Sequence, residues 1–183
     1  ETVRKGKSVA QNIDEACFNK SGLLYDEFEN LYASLFTNHE NHVKVIETLS
    51  KKNIGLNREA LLENTKINDG GSFSKILDEL EASGFIRKYN YFGKSVRDAL
   101  YQLVDFYSLF YFNFIKSNKQ ENYWSANIDN PKHRSWSGYS FELVCLMHEN
   151  QIKKALGIEA VQANVSSWKS KSDTQNVQID LLF

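Results

Sequence analysis

Apolar positions recur at helical spacing through most of the chain and give way to alternating or continuous runs toward its end. Val45, Ile46 and Leu49 share one helical face, and Asn57 stands where an N-cap would, ahead of Ala60, Leu61 and Leu62. After the turn residues Ile67-Asn68-Asp69-Gly70-Gly71, the positions Phe73, Ile76, Leu77 and Leu80 repeat at helical spacing and stop at Gly84, a glycine signal for a helix C-terminus. Phe85 to Phe92 is rich in aromatics and reads as a strand, with Leu100 to Val104 as its antiparallel partner across Gly93-Lys94-Ser95. Three helices followed by two strands is the order of a winged helix-turn-helix, in which the two strands make the wing.

The flanks extend this pattern. Val9, Ile13, Ala16 and Cys17 share a face of a helix over Val3–Cys17 that Ser21-Gly22 ends. Leu24, Phe28, Leu31, Tyr32 and Leu35 mark a second helix, with Asp26, Glu27 and Glu29 near its positive end, so a helical hairpin is predicted. Downstream, Asp105 caps a helix through Phe106, Leu109, Phe110, Phe114 and Ile115, whose aromatic face reads as core rather than as a cofactor or membrane surface. Ser117 to Lys119 is a loop. From Gly138 onward Phe141, Val144, Cys145 and His148 predict a further helix, extending through Ile152 to Leu156 and ending at Gly157. Ala160 to Val165 and Val177 to Leu182 read as strands joined by a polar turn, Ser170 to Gln175. The fold class is α+β, with an α/β second unit beginning near residues 105–120.

Composition narrows the function classes. A chain of 183 residues with 42% apolar and 13% aromatic content supports a proper core. Its formal net charge of -1 provides no global basic field, so nucleic-acid contact has to come from a local patch. The wing supplies one: Arg87, Lys88, Lys94 and Arg97 interleave with Tyr89, Tyr91 and Phe92. The start of the third helix adds Ser72 and Lys75, whose neighbouring backbone N–H groups suit a phosphate. Asp78, Glu79 and Glu81 on the same helix argue against its lying full length in a major groove. His39 and His42 flank Glu40 without an evident third ligand and predict a solvent-facing helix start rather than a metal pair. Cys17 and Cys145 fall among apolar residues and read as buried reduced thiols, which fits a cytoplasmic protein. Tyr107 to Ile115 is the most apolar run and has about half the ~20 residues a membrane span needs, so no membrane partner is expected.

Three segments together resemble a family of bacterial and archaeal ATPases: Leu100 to Tyr111, Trp136-Ser-Gly-Tyr-Ser-Phe-Glu142 and Gln178-Ile-Asp180-Leu-Leu. Members of that family are similar in order of parts, with an AAA-like ATPase and its helical lid, a winged helix, and a C-terminal domain related to PD-(D/E)xK nucleases. The resemblance implies that residues 1–37 are the end of the ATPase lid, 38–105 the winged helix-turn-helix and 106–183 a truncated restriction-endonuclease-like domain. It also implies that Glu142 and Asp180 are the helix and strand carboxylates of a Mg²⁺ site in the intact protein. No GxxxxGK[ST] loop occurs in the sequence, so ATP is expected to bind only upstream of Glu1. The family's ExK strand would fall after Phe183, so no catalytic residues and no cleavage are expected of this fragment. Partners implied are duplex DNA and the upstream ATPase domain of the same protein. The alternatives are a protein-interaction module docking on the ATPase domain or a partner, and a metal-dependent nuclease in the intact protein.

Overall fold

The computed structural model describes residues 3–90, 99–161, 166–169 and 178–182. Helix α1 (Val9–Ile13) starts at Ser8, whose hydroxyl accepts the Gln11 N–H while the Gln11 side chain accepts the Ser8 N–H in return. It runs on as a π-helical turn, Asp14–Phe18. The wider turn moves Asp14, Cys17 and Phe18 inward and leaves Val9 78% exposed, so the single apolar face expected over Val3–Cys17 is corrected. Helix α2 (Glu27–Leu35) buries Phe28 and Tyr32.

The central unit follows in the order α3 (Glu40–Leu49), β1 (Leu56–Asn57), α4 (Arg58–Thr65), α5 (Gly71–Ala82), β2 (Ile86–Tyr89) and β3 (Leu100–Leu103). Asn57 caps α4 as its spacing predicts, its side-chain oxygen accepting the Ala60 N–H at 2.9 Å. Gly84 takes a positive φ of 76° just past α5 and turns the chain into β2. The sheet has three antiparallel strands in the order β1-β3-β2, with Leu56 opposite Tyr101 and Ile86 opposite Leu103. Strand β1 was not foreseen, because two residues carry no period. One apolar core joins Val45, Ile46 and Leu49 of α3, Leu61 of α4, the α5 set Phe73, Ile76, Leu77 and Leu80, and Tyr101 and Leu103 of β3. Phe28, Tyr32 and Phe36 from α2 and its end belong to the same core. Each such fully buried side chain contributes about 1.5–3 kcal/mol.

Asp105 caps α6 (Phe106–Phe110), accepting the Ser108 N–H at 2.7 Å, and the helix continues as a second π-helical turn, Tyr111–Ile115. A second cluster gathers Cys17, Phe18, Phe110, Phe114, Ile115 and Trp124. Trp124 lies on the short helix α7 (Tyr123–Ala126), where the Asp14 carboxylate accepts the N–H groups of Trp124 and Ser125 at 2.7 and 3.0 Å. Helix α8 (Pro131–Met147) starts at Pro131 rather than Gly138: Asn130 caps it and the proline supplies a pre-set φ at its first turn. The expected continuation to Leu156 is broken at His148, after which α9 (Glu149–Ala155) begins. Strands β4 (Ser166–Lys169) and β5 (Gln178–Leu182) pair antiparallel, Trp168 opposite Ile179, with an irregularity between Ser166 and Trp168. Ala160 and Val161 are not in a strand, so the strand expected from Ala160 does not begin there, and residues 162–165 lie outside the described residues. The predicted turns at 93–95 and 170–175 lie outside the described residues. Among the described residues no helix is long and apolar enough to cross a membrane.

Candidate functional site

Ser72 and Lys75 are both exposed on the first turns of α5. Gly70 precedes the helix and supplies no side-chain cap, so its leading N–H groups face outward without one. Lys75 Nζ stands 3.6 Å from Glu79 Oε1, one turn on, which offsets part of its charge. Asp78 and Glu81 are exposed farther along the same helix. The outer surface of α5 is therefore cationic at its start and anionic beyond it.

The cationic residues expected on a wing divide. Arg87 is half-buried: its Nε donates to Gln102 Oε1 at 2.6 Å and its guanidinium lies 4.4 Å from the Tyr89 ring centre. Burial holds its pKa below the ordinary arginine value. Lys88 is exposed, with its Nζ 5.7 Å from the Tyr101 ring centre. Lys94 and Arg97 lie outside the described residues. Gln102 is 5% exposed, and its Nε2 donates to Asn53 O at 2.6 Å and to the Tyr139 hydroxyl oxygen at 3.2 Å. Tyr139 in turn donates to Asn53 O at 3.0 Å. This network draws Arg87 toward the interior and fastens α8 to β3. It joins residues far apart in sequence, and no local pattern announces it.

Glu142 is exposed on α8, next to the buried Leu143 and one turn from Tyr139. Burial pushes the Tyr139 phenol up to about 12 against the Gln102 hydrogen bond and the Arg87 charge, and the Glu142 charge adds the smallest push. Strand β5 runs beside α8 and carries Asp180 in its backbone. The Asp180 side chain lies outside the described residues, and with it the expected convergence on Glu142. The Trp136 to Glu142 segment has a structural part as well: Tyr139 and Leu143 seat α8 against the central core.

His42 corrects an expectation. It is 3% exposed rather than solvent-facing, its ring is stacked on Phe36 at 4.2 Å, and its Nε2 donates to Glu79 Oε2 at 2.9 Å. That hydrogen bond, with Lys75 nearby, holds the Glu79 carboxyl below the usual carboxylate range. Glu79 is thus partly engaged inward, leaving Asp78 and Glu81 as the exposed acids of α5. Cys17 is buried and Cys145 half-buried, and both are free thiols; burial pushes the Cys17 thiol up to about 11. Compared with family models, characterised proteins and solved structures, the chain matches none of them.

Proposed function

We propose that this chain is the lid end, winged helix and nuclease-like region of a prokaryotic, cytoplasmic AAA-like ATPase, and that its winged helix meets duplex DNA through its wing and the start of α5. The observation that carries this reading is the order helix, strand, helix, helix, strand, strand, closed by a sheet in the order β1-β3-β2. The division of charge along α5 supports contact at its N-terminal end, where Ser72, Lys75 and open N–H groups can meet a phosphate, rather than insertion along its length. Arg87 is committed to Gln102, so the DNA-facing charge of the wing falls to Lys88, Lys94 and Arg97. In the intact protein Mg²⁺ would be held by Glu142 and Asp180, hard oxygen donors suited to it, on a helix and a strand that run side by side. ATP would bind in the upstream domain.

The test is the affinity for duplex DNA as a function of salt. Replacing Lys88, Lys94 and Arg97 together by alanine is expected to flatten the slope of log affinity against log salt by up to ~3. Binding indifferent to both salt and these residues overturns the DNA reading. A second reading, a protein-interaction module docking on the ATPase domain, is favoured by exposed Asp78 and Glu81. It expects no duplex affinity at low salt, and loss of docking when both acids are changed to lysine.

A further inference from the structure

Between α2, α3 and the π-helical turn after α6 lies an open cleft of about 290 Å³. Its floor is aromatic: the Phe28 and Tyr111 rings stack in parallel at 3.9 Å and 4°, with Phe112 edge-on to both at 5.0 and 5.3 Å. Tyr111 and Phe112 are half-buried, so part of their surface faces the cleft. Glu29 of α2 and Glu40 of α3 line the same cleft and are exposed, and neither is in an ion pair among the described residues. Beyond the effect of burial, Glu29, Glu47 and Asp26 all push the Tyr111 phenol up, and Lys116 is the cation on the cleft wall.

The cleft wall and the surface beside it each seat a cation on an aromatic ring beside a carboxylate. Lys116 Nζ lies 5.1 Å from the Phe112 ring centre and 2.8 Å from Glu47 Oε1. Lys119 Nζ lies 3.9 Å from the Tyr25 ring centre and 4.0 Å from Asp26 Oδ1. Lys116 also lines the cleft but is held by Glu47, so the Tyr111 ring, Glu29 and Glu40 offer the ring and the carboxylates of this arrangement with no cation of their own among the described residues. We infer that the cleft binds the guanidinium of an arginine side chain on a partner polypeptide. A planar guanidinium stacks on a ring and still directs N–H donors to carboxylates on two helices, which a compact ammonium does less well. A bare metal ion is a poorer occupant, since among the described residues no three His, Cys, Asp or Glu side chains gather as ligands. The inference is independent of DNA binding, because no residue that lines the cleft belongs to α5, β2 or β3.

Glu29 and Glu40 are exposed, so Glu29→Gln and Glu40→Gln leave the core untouched. The experiment titrates the ¹⁵N-labelled chain with the amidated pentapeptide Gly-Gly-Arg-Gly-Gly and with versions carrying citrulline or lysine at the centre. Backbone amide shifts are followed by NMR. Saturable shifts confined to Glu29, Glu40, Tyr111, Phe112 and their neighbours are expected with the arginine peptide. The citrulline peptide, and the arginine peptide on the double glutamine variant, are expected to bind about tenfold or more weakly, with the thermal melt unchanged. Equal binding of the citrulline peptide, shifts centred elsewhere, or no saturable shift overturns the site. A lysine peptide that binds as well as the arginine one overturns the guanidinium assignment.

Discussion

His133 is 3% exposed, and neither of its ring nitrogens meets a hydrogen-bond partner among the described residues. Its ring is stacked on Trp124 at 4.1 Å and edge-on to Phe114 at 4.8 Å. Burial first, and Lys132 second, hold its pKa below the ordinary imidazole value. The unfolded chain therefore takes up a proton that the folded chain refuses. Stability is full above the unfolded value of about 6.5 and falls as pH drops from there toward the folded value, by at most ~1.4 kcal/mol per pH unit. Urea titrations across that window should show this slope, and His133→Phe should remove it. The same change relieves two unmet nitrogens and is expected to raise Tm by about 2–4 °C at neutral pH. Tyr32 presents the opposite case, since its hydroxyl shares a 2.8 Å hydrogen bond with that of Ser108 where both residues are 0% exposed. Tyr32→Phe is expected to cost about 1–3 kcal/mol by denaturant unfolding, and adding Ser108→Ala should recover part of it, because the second change removes the orphaned hydroxyl.

At the scale of elements, Gly55 combines a positive φ with a close backbone approach. Its φ is +79°, and a Cβ there would stand 2.3 Å from the Tyr101 carbonyl oxygen. It sits just ahead of β1, where Leu56 pairs with Tyr101. Gly55→Ala is expected to cost more than ~2 kcal/mol and to weaken amide-exchange protection of the β1–β3 pairing first; an unchanged β1 would contradict this. The sequence made legible the elements with a strong local period. The α5 set Phe73, Ile76, Leu77 and Leu80 is buried as its spacing predicts, and the hairpin of β2 and β3 pairs as expected. Elements defined by longer-range partners stayed hidden. Strand β1 exists because β3 offers it a backbone edge, and α8 begins at Pro131, ahead of the start predicted at Gly138, with His133 and Tyr139 in buried places. For the candidate site, residue types were legible and their commitments were not. Arg87 looks like a free cation on its strand until Gln102 of β3 holds it, and His42 looks like a surface residue until Phe36 and Glu79 close on it.

For the whole molecule, the consequence lies in where α2 places its aromatic residues. Phe28, Tyr32 and Phe36 are packed into the core that also holds α3, α5 and the sheet, and the Tyr32 hydroxyl joins Ser108 of α6. Such an interior transmits displacement instead of absorbing it. If residues 1–37 are the end of an ATPase lid, as proposed, the lid and the wing have no swivel between them. A rotation of α2 driven by nucleotide turnover would then swing the β2–β3 hairpin as a crank turns its handle, and the angle at which the wing meets DNA would be geared to the state of the motor.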